Sequence, residues 1–285
     1  MATDISQRIR NCYPGFSKGQ KKIANAVLND YDKVAYMTAA RLGKLVNVSE
    51  STVVRFAKEL GFEGYAKFQH AVQELVRIKL TPNQRIEVTK QRIGRGDVLE
   101  NVMLSDIGKL QYTLDRLNRD DFYHSVDKIL SAKTIYVAGA RSSEPVAKIL
   151  GYNLSLIFDN VRFIRPTSSA EVFEQMFSIG ENDVLIAFSF PRYSAKIVNA
   201  VKYAKQRGAD VIVFTDSDIS PLAEYATYLL TAQSDMASFM DSLVAPISII
   251  NAIIVEITNR KEKEITERFD QLEELWDRYD VYAKR

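Results

Sequence analysis

The sequence of 285 residues contains one cysteine, Cys12, and two histidines, His70 and His124. A single cysteine excludes an intrachain disulfide and any zinc site built on a cysteine cluster. Neither histidine has a second histidine or a cysteine near it in the chain, so we expect no metal site. Both are interpreted as surface or capped polar positions.

Long apolar runs are also lacking. No stretch approaches the roughly 18 uncharged residues that a transmembrane helix needs, and the most apolar one, residues 243 to 255, is too short. The N-terminal segment MATDISQRIRNCYPG carries charges where a signal peptide has its apolar part. We therefore expect no membrane association and a cytoplasmic location.

The composition is otherwise ordinary, but the charge is unevenly distributed. Hydrophobic residues make up 46% of the chain and charged residues 26%, as in globular proteins, and the length suggests two domains. Residues 1 to 80 contain 13 lysines and arginines against 7 acidic residues, whereas the remainder contains 25 against 29. A basic excess on a small domain is expected of a protein that binds a phosphate backbone.

Helical spacing dominates the N-terminal third. A first helix begins near Phe16, with Ser17 as its cap and with Ile23, Ala26 and Val27 on one side. Two further helices, joined by a short turn, are predicted within residues 37 to 62.

The first helix of this pair starts at Thr38, the expected N-cap, and its inner stripe is Leu42, Leu45 and Val46. The second runs from about residue 50 to residue 60, with Ser49 as its cap and Gly61 as the left-handed residue that follows it. Three apolar residues share its inner face: Val53, Ala57 and Leu60. The opposite face is polar: Ser51, Thr52, Arg55 and Lys58.

A second helix with short hydroxyls at its start and an arginine one turn later has the layout of a helix-turn-helix whose recognition helix enters the major groove. Serine and threonine approach bases or phosphates closely, Arg55 reaches a guanine edge or the backbone, and Lys44 and Lys58 neutralise phosphates. Spacing alone leaves open a plain helical hairpin with a solvated polar face.

Two segments, FSKGQKKIANAVL and MTAARLGKLVNVSESTVVRFAKELGFEGYAKFQ, resemble the helix-turn-helix domain of the RpiR family of bacterial transcription regulators. The most specific part is the run V-S-x-S-T-V-x-R-F-x-K-x-L-G-F-x-G-Y-x-x-F, and the resemblance covers about residues 1 to 77. It implies that five residues lie at or near DNA: Ser49, Ser51, Thr52, Arg55 and Lys58. It also implies a further helix after Gly61, which makes Phe62, Tyr65 and Phe68 packing residues.

Residues 78 to 98 are polar, contain Pro82, Gly94 and Gly96, and show no sustained apolar stripe, so we expect a linker there. Beyond it, apolar residues recur in steps of three and four and predict a helix of about 20 residues. Its stripe is Leu99, Met103, Ile107, Leu110, Leu114 and Leu117. We expect this stripe to pack on the C-terminal domain, with a partner subunit as the alternative, and residues 99 to 130 to form connecting helices.

Five short apolar runs alternate with helical segments in the C-terminal two thirds. The predicted strands are residues 133 to 140, 161 to 164, 183 to 189, 210 to 215 and 227 to 230. The predicted helices are roughly residues 143 to 158, 168 to 179, 194 to 207 and 220 to 225. Continuous apolarity is typical of buried parallel strands. We predict a doubly wound α/β domain with a five-stranded parallel sheet, which binds ligands beyond the carboxyl ends of its strands.

Three predicted strand ends are polar: GARSSEP after the first, SFPRYS after the third and TDSDISPL after the fourth. Each precedes a helix, where backbone N–H groups and the helix dipole favour an anion. Five hydroxyls are available: Ser142, Ser143, Ser189, Ser194 and Thr215. A phosphate is the expected occupant; a dinucleotide is less favoured because the first loop is not G-x-G-x-x-G, and we predict no cofactor. For each serine alone, an N-cap role is the alternative.

Residues from about 131 to 260 resemble the SIS (sugar isomerase) domain, which binds phosphosugars at these strand ends. Its usual loops G-x-G-x-S and S-x-S-G-x-T correspond here to residues 139 to 143 and 189 to 194, and RGADVIVFTDSDISPLAEYATYLL matches its later strand, loop and helix. Four residues fall on family site positions: Ser143, Ser189 and Ser194 at ligand contacts, and Ser220 at the start of the S-P-L turn.

The chain departs from the SIS pattern at Arg141, Pro191 and Arg192, which replace glycine, serine and glycine. The two arginines are suited to pair with a carboxylate or phosphate, and Tyr193 to stack on or hydrogen-bond a ring. We therefore predict an anionic ligand, either a phosphosugar or a carboxylated or amino-sugar derivative.

An isomerase or lyase needs a general acid and base beside the sugar. The candidates are Glu144, Glu171, Glu174 and His124, and none stands in a recognisable motif. With a DNA-binding domain attached, binding alone suffices, because a ligand that prefers one dimer arrangement changes the spacing of the recognition helices. The sequence predicts a bacterial regulator of carbohydrate metabolism genes without catalytic residues; the alternative is a sugar-phosphate isomerase or lyase.

Self-association is expected because helix-turn-helix proteins usually bind paired half-sites and SIS domains usually associate. We predict an inverted-repeat operator in double-stranded DNA and a homodimer or homotetramer. Residues 240 to 260 are apolar around most of a helix and must be buried in the core or between subunits. The C-terminal helix, residues 261 to 285, has one apolar side for docking: Ile265, Phe269, Leu272, Leu275 and Trp276.

Overall fold

A computed structural model describes residues 5–93, 96–165, 168–235 and 238–283. The chain divides into two compact units, Met1–Val88 and Thr89–Arg285. The division falls inside the segment predicted as a linker.

The first unit is all helical. Its helices are α1 Ile5–Cys12, α2 Lys18–Asn29, α3 Tyr31–Val34, α4 Ala39–Val46, α5 Glu50–Glu59 and α6 Tyr65–Lys79, with a 3-10 turn at Tyr13–Gly15, and α7 Pro82–Ile93 runs across the division. Helix α7 occupies most of the predicted linker. It begins with a capping box in which the Thr81 N–H donates to Gln84 Oε1 at 2.9 Å and the Gln84 N–H donates to Thr81 Oγ1 at 3.4 Å.

The helix starts of this unit follow the predicted caps. Ser17 forms a capping box with Gln20 at the start of α2, and the side chains of Thr38 and Ser49 accept backbone N–H groups at the starts of α4 and α5. Gly61 follows α5 with a φ of 82°. The predicted starts of these three helices are confirmed.

Phe56 of α5 is the centre of an aromatic core. Its ring lies 5.1 Å from that of Phe16 and 5.7 Å from that of Phe68, centroid to centroid. Phe62 and Tyr65 also pack on Phe68, each at 5.8 Å. The prediction that these aromatic residues pack inside the domain is confirmed, so they are not surfaces for stacking bases.

One core prediction in this unit was wrong. Leu45 was placed on the inner stripe of α4 but is 56% exposed. The inner face is instead formed by Ala39, Leu42 and Gly43, because α4 lies against the following turn through Gly43.

The second unit is an α/β domain. Its elements are α8 Val98–Arg116, α9 Arg119–Ser131, β1 Ile135–Gly139, α10 Ser143–Ile157, β2 Val161–Ile164, α11 Ser169–Gln175, β3 Val184–Phe188, α12 Ala195–Gln206, β4 Asp210–Thr215, β5 Tyr228–Thr231, α13 Val244–Arg260 and α14 Glu262–Arg278. The sheet order is β2-β1-β3-β4-β5, and every pair of neighbouring strands is parallel. The predicted doubly wound five-stranded fold is confirmed.

The segment 220 to 225, predicted as helical, forms only a 3-10 turn at Ala223–Tyr225.

Helices cover both faces of the sheet. Alternate strand residues such as Val137 and Ile186 pack with α9, α10 and α13 on one face, whereas Tyr136 and Leu185 pack with α11 and α12 on the other. Burial of both faces explains why the strands are apolar without alternation.

The apolar sides of α8, α13 and α14 are covered to different extents. Helix α13 packs one side on the core through residues such as Ile250 and Ile253, but Val255 is 57% exposed, so the predicted burial holds for one side of the helix only. Ile265 and Phe269 of α14 pack on the same core. The stripe of α8 is divided: Leu110 and Leu117 pack on the domain, but its other four residues face solvent. Four residues are exposed by 57 to 69%: Leu99, Met103, Ile107 and Leu114. The expectation that this whole stripe packs on its own domain was wrong.

No helix within the described residues combines the length and apolar character of a membrane span.

Candidate functional site

The turn between α4 and α5 is held tightly. Asn47 adopts a left-handed conformation with a φ of 55°, and the Val48 N–H donates to the Gly43 carbonyl at 2.9 Å. A Cβ on Gly43 would lie 2.8 Å from the Val48 carbonyl oxygen, closer than such contacts allow. Gly43 therefore lets the turn close against α4 and fixes the direction in which α5 leaves it.

The first turn of α5 carries a cluster of hydroxyls. Ser49 Oγ accepts the Thr52 N–H at 3.3 Å and lies 2.9 Å from Ser51 Oγ and 2.8 Å from Thr52 Oγ1. Ser49 thus caps the helix and also positions its two neighbours. Ser51, Arg55 and Lys58 are exposed on this helix, and Lys44 is exposed on α4. The predicted DNA-binding residues therefore form a polar, basic surface that begins at the first turn of α5 and continues to Lys58 near its end and to Lys44 on α4.

The first turn of α2 lies against the same region. A Cβ on Gly19 would lie 3.4 Å from Val48 Cγ1 and 3.7 Å from Thr52 Cγ2. Gln20, which completes the capping box of α2, also donates a side-chain hydrogen bond to Glu59 near the end of α5. Both ends of α5 are therefore braced from α2.

The second candidate site is the carboxyl edge of the sheet. Gly139 at the end of β1 is in register with Phe188 of β3, and Phe188 is in register with Phe214 of β4. The three polar segments that follow these strands therefore emerge side by side, as parallel strands require.

The loop after β1 is shaped by two backbone positions. A Cβ on Gly139 would lie 2.7 Å from the Ser143 carbonyl oxygen and 2.8 Å from Ala147 Cβ, so only glycine permits α10 to approach this closely. Arg141 has a φ of 56°, the left-handed conformation that the glycine usual at this position adopts easily. Arg141 and Ser142 are exposed, Ser143 is buried, and the Ser142 side chain makes no cap hydrogen bond.

The loop after β3 contains Ser189, which is 2% exposed and whose Oγ accepts the Ser194 N–H at 3.2 Å. Arg192 is exposed, and Tyr193 and Ser194 are half-buried. The side chain of Ser194 forms no cap hydrogen bond to α12. A simple capping role thus does not account for Ser142 or Ser194.

The loop after β4 contributes a half-buried carboxylate and a buried hydroxyl. Asp216 Oδ1 accepts hydrogen bonds from the Tyr193 hydroxyl at 2.9 Å and from Thr215 Oγ1 at 3.2 Å. Ser220 is 5% exposed, and its hydroxyl has no hydrogen-bond partner among the described residues. Sequence reasoning selected Thr215, Tyr193 and Ser220 but missed Asp216, although it directly follows Thr215.

Each of the four candidate acids and bases either contacts a neighbouring side chain or is exposed on a helix. His124 stacks on Tyr228 with ring centroids 5.7 Å apart, and Glu144 forms an ion pair with Lys148 at 2.7 Å. Glu171 and Glu174 are exposed on α11. Within the described ranges no group of three or more His, Cys, Asp and Glu side chains is arranged to hold a metal ion.

Two family models match the chain. Residues 3–77 match the helix-turn-helix domain of the rpiR family, and residues 128–256 match the SIS domain. The two candidate sites lie in different matched domains.

Curated relatives extend over most of the chain. An HTH-type transcriptional regulator of Haemophilus influenzae is 26% identical over 231 residues, which cover 80% of this chain and 79% of the relative. The HTH-type transcriptional regulator HexR of Escherichia coli is 23% identical over 282 residues, covering 95% and 93%.

Solved structures share the fold. The Vibrio vulnificus NanR protein complexed with ManNAc-6P has a TM-score of 0.63 at 21% identity, covering 98% of this chain and 99% of that one. The sugar isomerase domain of an RpiR transcription factor from Sphaerobacter thermophilus has a TM-score of 0.60 at 24% identity, covering 63% and 99%.

Proposed function

The chain belongs to the rpiR family of helix-turn-helix transcription regulators and carries a SIS domain, and from this premise we propose that an anionic sugar derivative bound at the sheet edge controls its binding to DNA. The regulated genes are those of carbohydrate metabolism. The protein acts in the bacterial cytoplasm, where its DNA lies.

The surface at the start of α5 supports the DNA-binding half of this proposal. Ser51, Arg55 and Lys58 are exposed on a helix whose other face is locked into the core by Phe56. Arg55 is placed to contact a guanine edge, and Lys44 and Lys58 to neutralise phosphates. Thr52 and Ser49 hold the first turn of the helix while also presenting hydroxyls.

The single observation that best supports the effector half is the buried hydroxyl of Ser220. A buried hydroxyl without a partner costs free energy, and native proteins usually satisfy such groups with a ligand or ordered water. It lies in one of three polar loops that leave neighbouring strands. Ser143, Ser189 and Thr215 add buried hydroxyls at the same edge.

Charge at this edge favours an anion. Arg141 and Arg192 are exposed in the loops after β1 and β3, and an arginine pairs with a carboxylate or phosphate through two parallel hydrogen bonds. In the related NanR structure the ligand is ManNAc-6P, a sugar phosphate. We assign Tyr193 to the sugar ring, and Ser142 and Ser194 to the anionic group.

Binding without turnover is the proposed role of this site. Curated relatives along most of the chain are named transcriptional regulators, and Glu144 is engaged by Lys148 while His124 stacks on Tyr228. The protein binds inverted-repeat DNA as a homodimer or homotetramer, because two recognition helices must reach paired half-sites.

Selection from genomic DNA tests the proposal. The purified protein is mixed with fragmented DNA of its source organism at near-physiological salt, and the retained fragments are sequenced. Enrichment of a few inverted repeats is expected. Uniform retention, with and without cell extract to supply an effector, together with turnover of a sugar phosphate, would favour an enzyme and contradict the proposal.

A further inference from the structure

The first turn of α2 crosses α5 in a defined direction. Gly19 faces the start of α5, because a Cβ on Gly19 would lie 3.4 Å from Val48 Cγ1 and 3.7 Å from Thr52 Cγ2. Gln20, the next residue, donates a side-chain hydrogen bond to Glu59 near the end of α5. Around the axis of α2, the step from Gln20 to Gly19 therefore leads from the end of α5 towards its start.

Two lysines of α2 continue in the same direction. With about 3.6 residues per turn, Lys18 and Lys22 lie on the side of Gly19 away from Gln20, and they are neighbours one turn apart. Both lysines are exposed. Within the described ranges no carboxylate forms an ion pair with either of them. Two uncompensated positive charges therefore lie beside the first turn of α5, next to the exposed hydroxyl of Ser51.

A third lysine on the same turn has a different environment. Lys21 is half-buried, and its ammonium lies 5.7 Å from the centre of the Tyr13 ring, as in a cation–π contact. The Tyr13 hydroxyl in turn donates to Asn25 Oδ1 at 3.0 Å. Lys21 is therefore directed towards α1 and its following turn, away from the start of α5.

We propose that Lys18 and Lys22 of α2 contact phosphates of the DNA backbone beside the groove that receives the start of α5. The inference rests on the proposed function, because α5 must meet DNA for these lysines to reach it. The major groove is only about 12 Å wide and has a phosphate backbone along each side, so a helix that enters it brings neighbouring exposed cations to phosphates. Such contacts add affinity and fix the orientation of the domain without reading a base.

Salt-dependent binding of the full chain to a DNA duplex of arbitrary sequence tests this contact, because a phosphate contact needs no operator. Anisotropy at several salt concentrations gives the slope of log affinity against log salt. Lys18→Ala and Lys22→Ala should each lower the magnitude of this slope by about 0.9 and weaken binding roughly 3- to 10-fold at about 0.1 M salt. Lys22→Arg keeps the charge and should keep the parental slope.

Lys21→Ala is the matched control, since it removes the same charge from the same turn of α2. Its slope should stay within about 0.3 of the parental value, because Lys21 faces Tyr13. Alanine is a strong helix former, so all three alanine variants should fold, and thermal melting checks this.

A backbone scan of a selected operator locates the contact. A methylphosphonate linkage removes the charge of one phosphate. At the phosphate that Lys22 contacts, this linkage should weaken the parent several-fold but the Lys22→Ala protein by less than about twofold, as a double-mutant cycle requires of a direct pair. Independent losses at every phosphate scanned would overturn the contact.

The contrary results are equally specific. Parental slopes in both Lys18→Ala and Lys22→Ala would overturn the contact, as would an equal loss in Lys21→Ala, which would report net charge alone. If Arg55→Ala weakens operator binding while the two lysine variants do not, the α2 contact fails and the proposed function stands. Lysine-dependent binding to the arbitrary duplex, without enrichment of any sequence from genomic DNA, supports the contact and contradicts the regulator.

Discussion

The Tyr193 hydroxyl donates a hydrogen bond to Asp216 Oδ1 at 2.9 Å and thereby joins the loops that follow β3 and β4. Thr215 donates to the same oxygen at 3.2 Å. One carboxylate therefore holds together two of the three segments of the proposed effector site. A ligand that contacts both loops meets a surface that is already organised, which lowers the conformational entropy lost on binding.

Ser220→Ala should separate stability from ligand binding. Its buried hydroxyl has no partner among the described residues, so its removal should leave the melting temperature of the ligand-free protein unchanged or slightly higher. Effector affinity should fall about 5- to 30-fold, as for the loss of a hydrogen bond of about 1 to 2 kcal/mol. Thermal melting measures the first effect and calorimetric titration the second. A lower melting temperature of the ligand-free protein with unchanged effector affinity would contradict a hydroxyl that faces the ligand.

Arg192→Ala should weaken anionic ligands in particular. Loss of charge-assisted hydrogen bonds worth about 1.5 to 3 kcal/mol predicts a roughly 10- to 150-fold weaker affinity for a sugar phosphate or sugar acid. The neutral parent sugar should bind equally to both proteins. Lys202→Ala, which removes another exposed cation further along α12, is the control. If the Arg192→Ala protein binds the sugar phosphate as tightly as the parent does, Arg192 does not contact the ligand.

Arg55→Ala should reduce DNA affinity and relax the base preference at one position. A contact to a guanine edge predicts a loss of about 1 to 3 kcal/mol, or roughly 5- to 150-fold. Lys58→Ala should weaken all sequences alike and lower the slope of log affinity against log salt by about one. Lys33→Ala on α3, whose lysine is 68% exposed and paired with Asp30, is the control. Fluorescence anisotropy with a selected operator measures all three, and an Arg55→Ala protein with parental affinity contradicts the placement of α5 on DNA.

Tyr65 should give the first unit a pH-dependent stability. Its hydroxyl donates to the Met37 carbonyl at 2.7 Å, and burial raises the pKa of Tyr65 to about 12 from 10.0. The folded state thus holds the phenolic proton more tightly than the unfolded state, so this stability is complete below pH 10 and is lost as the pH rises towards 12.

Denaturant unfolding of the Tyr65→Phe protein tests this directly. At pH 8 the variant should be less stable by about 1 kcal/mol because one hydrogen bond is lost. The difference from the parent should shrink above pH 10. A difference that stays constant to pH 11.5 would show that Tyr65 does not carry the effect.

The sheet and helices α4 and α5 could be predicted from the sequence because their signals are local. Strands Val161–Ile164 and Asp210–Thr215 have the predicted boundaries, since each is a short apolar run between polar turns. Ser17, Thr38 and Ser49 cap the predicted helices. Helix α7 was missed although T-P-N-Q is a capping-box pattern, because its polar residues show no apolar stripe.

The remainder depended on contacts between residues far apart in the chain. The bond from Ser242 to Asp106 joins residues 136 positions apart, and this bond helps to set which side of α8 faces the domain. Helical spacing identified the apolar side of α8 but not whether its own domain covers it. Asp216 was missed for a related reason, since its partner Tyr193 comes from another loop.

The most direct test of the proposed control of DNA binding is to titrate the operator complex with a panel of sugar phosphates, sugar acids and their neutral parent sugars, following DNA affinity by anisotropy. At least one anionic sugar should change DNA affinity fivefold or more, as an allosteric coupling of about 1 kcal/mol requires, and the Ser220→Ala protein should need a higher concentration of that sugar for the same change. If every anionic sugar that binds the protein leaves DNA affinity unchanged, the sheet edge does not control DNA binding.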